Sequence, residues 1–126
     1  MPHVSKDDAS QVEQLEEEFE GRYEQLGEIM IGFETYYTEA DVAPLFAGLP
    51  DDACQSPHWG YVLRGKVTFR STDGTEETVH AGQAYVVPPG HTPVFHPDTE
   101  LVEFSPAEEF ARTVEVVTRN AEAMGS

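Results

Sequence analysis

Turn-forming residues recur at short, regular intervals through the second half of this chain, and that spacing confines it to short strands. Asp73-Gly74, Ala81-Gly82, Pro88-Pro89-Gly90 and Pro97-Asp98 punctuate β-prone runs at 61–70, 75–80, 83–87, 91–96 and 100–104. Asp-Gly supplies the positive φ angles that a tight hairpin requires. Gly65 stands inside the first run and marks a turn or bulge there. Upstream, residues 19–25 and 28–37 flank Leu26-Gly27 as a further hairpin, and the stretch from Ile29 to Tyr37 is the most apolar of the chain. Many short strands separated by Gly/Pro turns predict a sandwich or barrel rather than alternating strands and helices.

Two segments read differently. Residues 40–49 suggest a short helical turn, with Asp41 as its cap and Gly48 and Pro50 ending it. Pro106 suits a first helical position, with Ser105 as cap and Glu108 three residues further on. The segment 106–124 then places Phe110, Val114, Val117 and Ala121 on one face of an amphipathic helix packed on the outside of the barrel. Residues 1–18 are polar and acidic without a strong apolar period; they read as a flexible arm, with a helical turn near Val12–Leu15, before one domain spanning 19–126.

A chain of 126 residues has room for one core. Its 24 acidic residues against 7 basic give a net charge of −17, which repels phosphate backbones and anionic lipid. Nucleic acid and membrane are therefore not expected partners. Of the bases, Arg22, Arg64, Lys66 and Arg70 fall in predicted strands, where one could meet an anionic substrate. No apolar run reaches the roughly 18 residues that cross a bilayer, no signal-peptide layout opens the chain, and a single cysteine fits a reducing compartment. A cytoplasmic protein is expected. No Ser-His-Asp arrangement, phosphate-binding glycine loop or rigid pair of carboxylates stands out, so no nucleotide cofactor is expected and the catalytic residues stay unknown.

The stretch from Cys54 to Pro106 resembles the cupin family. Tyr61-Val62-Leu63-Arg64-Gly65 is similar to the close of that family's first signature, and Gly82 with Pro88-Pro89-Gly90 to its second. The resemblance implies an all-β fold, a cupin jelly-roll β-barrel with a C-terminal α-helix, and a homodimer. It also implies a divalent transition metal in the barrel, at positions where this chain has other donors. His58 stands where the family has glutamate, Cys54 at its second histidine and Asp52 at its first. The last ligand position falls on Pro93, but His91 lies two residues earlier, on the same side of a strand. Cys54, His58, His91 and optionally Asp52 would suit zinc best, iron or copper less so.

Val62, Phe95 and Tyr85 are expected to line the pocket, and one of Tyr36, Tyr37 and Tyr85 to point a hydroxyl inward; Trp59 and Tyr61 have the opposite parity and should face away. His3 and His80 read as surface residues. The family's range of oxygenases, isomerases, cyclases and decarboxylases leaves the reaction open. A metal-dependent enzyme acting on a small organic molecule is one expectation. The other is a non-catalytic small-molecule-binding or sensing protein that has lost the metal, with Cys54 packed as a small hydrophobe.

Overall fold

The structure, a computed structural model, describes residues 1–124. Among the described residues, ten strands form two antiparallel sheets, and one α-helix follows them. They are β1 (Gln11–Leu15), β2 (Phe19–Leu26), β3 (Ile29–Tyr36), β4 (Ala40–Asp41), β5 (His58–Arg64), β6 (Lys66–Ser71), β7 (Glu76–His80), β8 (Ala84–Val87), β9 (His91–Phe95) and β10 (Thr99–Pro106). The helix α1 covers Ala107–Met124. One sheet has the order β1-β2-β3-β10-β5-β8, the other β4-β9-β6-β7. This is the expected jelly roll with a C-terminal helix.

The predicted run 61–70 is two strands rather than one. Gly65 turns the chain from β5 in the larger sheet to β6 in the smaller, at φ +80°. Thr99 staples the corner: its Oγ1 accepts from the Lys66 N–H at 3.1 Å and donates to the Lys66 carbonyl at 3.0 Å. Inside the barrel Val62 and Leu101, both 0% exposed, pack with Val67, Phe69, Val87 and the rings of Tyr36, Tyr85 and Phe95. Tyr36 and Phe95 stack with centroids 3.9 Å apart. Trp59 and Tyr61 face outward as their parity requires, and with Val86 and Phe104 they leave an exposed apolar stripe on the larger sheet.

Residues 11–15, expected in a flexible arm with a helical turn, instead pair in register with β2 as an edge strand. All five are exposed, so this strand carries no apolar alternation to read; the backbone ladder holds it. Lys6 ties the segment before it to the sheet, its Nζ 2.9 Å from Glu100 Oε2. The expected turn at 40–49 is present as a 3-10 helix over Ala43–Phe46, and Asp41 Oδ1 accepts from the Ala43 N–H.

The helix α1 departs from its predicted orientation. Phe110 and Val117 of the expected face are half-buried, but Thr113 is the buried residue and Val114 and Ala121 are exposed. Polar contacts decide this rotation. Asn120 Nδ2 donates to the carbonyls of Leu45 (2.7 Å) and Ala47 (2.9 Å), and Thr113 Oγ1 lies against the Cys54 sulfur. Ser105 does not cap the helix, because it is the last inward position of β10 and its hydroxyl meets His58. Among the described residues no helix is long and apolar enough to cross a membrane.

Candidate metal centre

Two stretches of the chain, residues 54–58 and the start of β9, bring Cys54, His58 and His91 together, with one ligand atom of each within 4.8 Å of the others. An isolated antiparallel bridge joins Cys54 to His91: the Cys54 N–H donates to the His91 carbonyl at 2.9 Å, and the Gly90 N–H to the Cys54 carbonyl at 2.7 Å. This bridge puts His91 opposite Cys54. It explains why an imidazole two residues before Pro93 can face the cluster. His58 is the first residue of β5, and its Nε2 lies 3.4 Å from Cys54 Sγ.

Both imidazoles are held through Nδ1. His91 Nδ1–H donates to the Pro88 carbonyl at 2.8 Å. Around His58 Nδ1 lie Ser105 Oγ at 2.7 Å and Glu103 Oε1 at 3.3 Å. A histidine whose Nδ1–H is engaged presents the Nε2 lone pair, the usual state of a metal-ligating imidazole backed by a carboxylate or carbonyl. Two imidazoles and one thiol at this spacing are donors that fit a divalent transition ion. Asp52 does not join them. It is exposed in a 3-10 turn and its Oδ1 accepts from the Gly48 N–H at 3.0 Å.

Burial sets the electrostatics. Cys54 and His91 are 2% exposed and His58 5%. Loss of solvent pushes the Cys54 thiol up and both histidines down to about 4, so the imidazoles are neutral; the neighbouring His58 lowers His91 further.

Beside the cluster lies a feature that the sequence reading missed. Glu34 of β3 and Glu103 of β10 are diagonal neighbours on the inner face, since Glu103 pairs with Gly32 and Glu34 with Leu101. Tyr23 donates to Glu34 at 2.6 Å and Tyr85 to Glu103 at 2.6 Å, and Tyr36 reaches Glu34 at 3.3 Å. Burial, and for Glu34 also the charge of Glu103, raises both carboxyls to about 7. This is a rigid carboxylate pair, contrary to expectation. Glycines allow the tyrosines to lie flat along the strands: a Cβ on Gly60 would stand 2.3 Å from the Tyr85 ring, and one on Gly32 2.8 Å from that of Tyr23. Period-two parity could have found Glu34, an acid facing inward from the most apolar run.

The Glu34 proton gives a prediction. Its folded pKa lies above the ordinary 4.5, so its contribution to stability is complete below that pH and is lost as pH rises to about 7. The histidines act in the opposite direction, losing their contribution as pH falls from 6.5 towards 4. In metal-free protein, Glu34→Gln should therefore gain on the wild type between pH 4.5 and 7.5, by about 2–3 kcal/mol in urea denaturation. A gap that stays constant with pH would refute the raised carboxyl.

The C-terminal helix closes the centre. The Phe110 ring lies 6.3 Å from His58 and 6.2 Å from Tyr23. The crevice lined by Tyr23, Met30, Gly32, Glu34, Glu103, Ser105 and Phe110 leaves no volume for a water molecule. Of the residues expected to line a pocket, Val62, Phe95 and Tyr85 belong to the packed core, with only the Tyr85 hydroxyl reaching this region. Because Cys54 is the single cysteine, a thiol reagent reports helix opening directly. Asn120→Ala removes two hydrogen bonds from the docked helix, and labelling of metal-free Cys54 should accelerate about tenfold. An unchanged labelling rate would show that Asn120 does not hold the helix closed.

The profile of the Cupin_2 family, a cupin domain, matches residues 54–102. No curated protein sequence matches the chain. Among solved structures, an RmlC-like cupin from Shewanella frigidimarina is similar at 19% identity and TM-score 0.58, over 85% of this chain and 93% of that one. The polyketide cyclase RemF from Streptomyces resistomycificus is similar at 15% identity and TM-score 0.57, over 85% and 80%. A mutant oxalate decarboxylase OxdC from Bacillus subtilis reaches 14% and TM-score 0.57 over 82% of this chain, but only 28% of its own length. These likenesses concern the fold. A cupin-domain profile over residues 54–102 and these solved structures together show a cupin-type fold for this chain.

Proposed function

We propose that this cupin binds a divalent transition metal through Cys54 Sγ, His58 Nε2 and His91 Nε2, and acts on a small organic molecule beside it. The observation that carries the reading is the convergence of three buried donors, with both imidazoles held through Nδ1. Three protein ligands are the complement of a catalytic rather than a structural zinc site, which usually has four. Zinc is favoured by the mixed sulfur and nitrogen set, with iron or copper behind it. When bound, such an ion supplies Lewis acidity towards a carbonyl or hydroxyl oxygen. The protein's own part is to hold both imidazoles in one tautomer, exclude water with Phe110, and keep protons on Glu34 and Glu103 nearby. That combination suits proton-transfer chemistry more than electron transfer.

One observation favours a second reading, a non-catalytic binding protein: α1 covers the crevice beside the centre, which has no volume for a water molecule. Metal content separates the readings first. Protein purified without a metal-binding tag and reloaded with Zn(II) or Co(II) should hold about one ion per chain. The Co(II) form should show an intense thiolate-to-metal band in the near ultraviolet. Less than about a tenth of an ion after reloading would remove the metal reading. A small molecule that raises the melting temperature and is recovered unchanged would favour the binding protein.

A second copy of the chain is the partner we propose for the outer face of the larger sheet. Trp59, Tyr61, Val86 and Phe104 form an uncharged exposed stripe there, on a molecule whose net charge of −17 opposes contact elsewhere. Sedimentation should give a dimer that Trp59→Glu dissociates; a wild-type monomer would end this proposal. We place the protein in the cytoplasm, a reading supported by its single, buried cysteine.

A further inference from the structure

We infer that the metal centre selects against anions and takes an uncharged or cationic small molecule, an inference that rests on the metal reading above. The arrangement of charge supports it. All seven basic side chains lie outside the barrel. Lys6 and Arg64 share Glu100, Arg22 pairs with Glu20, and Arg70 reaches Asp41 and Glu76. Arg112 and Arg119 pair along the exposed face of α1 with Glu108 and Glu115, and Lys66 is exposed. The strand bases that could have met an anionic substrate are thus turned away and occupied. No guanidinium or ammonium faces the interior to replace the hydration that a carboxylate or phosphate loses on entry.

The interior instead offers acceptors. Glu34 and Glu103 flank the crevice beside His58, and the hydroxyls of Tyr23, Tyr36 and Tyr85 are already committed to those two carboxyls. The tyrosines therefore cannot turn their hydrogens to an incoming anion without stranding a buried carboxyl. The Cys54 thiolate would take up part of a bound dication's charge, and no basic side chain adds to what remains. Further out, the net charge of −17 slows the approach of anions and favours cations. A ligand that fits presents O–H or N–H donors to the carboxyls and an apolar face to Phe110 and Met30; since the crevice holds no free volume, such a ligand has to displace α1, which the Asn120→Ala variant below tests.

Three probes of one shape and different charge test this: benzoate, benzamide and benzylammonium, titrated into Co(II)-loaded protein and into Co(II)-loaded Asn120→Ala, whose helix is freer. The readouts are the thiolate-to-cobalt band and the melting temperature. Benzamide and benzylammonium should perturb both in at least the freer variant, with benzoate at least about tenfold weaker. Glu34→Gln, checked for retained fold by circular dichroism, should narrow the gap between benzylammonium and benzoate. Benzoate binding as tightly as benzamide would overturn the inference, and so would the failure of all three probes in the Asn120→Ala protein. Absence of the thiolate band before any probe is added would instead overturn the metal reading, which keeps the two failures distinct.

Discussion

Gly65→Ala should destabilise the protein by more than about 3 kcal/mol, seen as a large fall in its urea midpoint. Two costs combine at this corner. An L-residue at φ +80° loses about 1–2 kcal/mol against glycine. The added Cβ would also stand 2.4 Å from Thr99 Oγ1, 2.7 Å from Thr99 Cα and 2.8 Å from the Asp98 carbonyl. Two of these neighbours are backbone, and the third is the hydroxyl that staples Lys66, so none can yield without opening the junction between the sheets. Gly74→Ala is the control. Its φ is +91°, but nothing lies within 4 Å of its Cβ position, so only the conformational cost of about 1 kcal/mol applies. Equal losses in the two variants would mean that the corner contact contributes nothing.

Cys54→Ala should lower metal affinity by more than about 100-fold and abolish the thiolate-to-cobalt band, with the fold retained. The sulfur is the only anionic donor of the set, and His58 and His91 alone leave a two-nitrogen site of ordinary weakness. Alanine fits the position sterically, because only the small thiol group is removed. Asp52→Ala should leave affinity unchanged, since that carboxylate serves the Gly48 N–H outside the cluster. Glu103→Gln should weaken binding by about tenfold through the orientation of His58. An unaltered band in Cys54→Ala would place the metal elsewhere; affinity lost on Asp52→Ala would restore the fourth ligand.

Much of the barrel was legible because turns are local. Asp73-Gly74, Gly82 and Pro88-Pro89-Gly90 act through the φ angles of their own residues, and the strands between them fell where the β-prone runs between turns put them. Gly65 was recognised as a turn, but the switch of sheets that it permits depends on which strands receive β5 and β6. The edge strand β1 was illegible for a different reason. Its side chains are all exposed, and the ladder that holds it is made by backbone groups identical in every sequence.

At the centre, Cys54, His58 and His91 were named from the resemblance to the cupin signatures, with strand parity adding only the step from Pro93 to His91. Their convergence could not be read from the chain, since it depends on the Cys54–His91 bridge and on β5 lying across from it. The sequence by itself determined the β character, the turn positions and the C-terminal helix, all consequences of local conformation, while the three candidate donors came from the resemblance to a family. Only the tertiary structure decided the rest. It excluded Asp52, paired Glu34 with Glu103 across β3 and β10, and rotated α1 so that Thr113 and Phe110 close over the cluster. Those outcomes depend on register and on polar contacts between distant segments, which no window of residues contains.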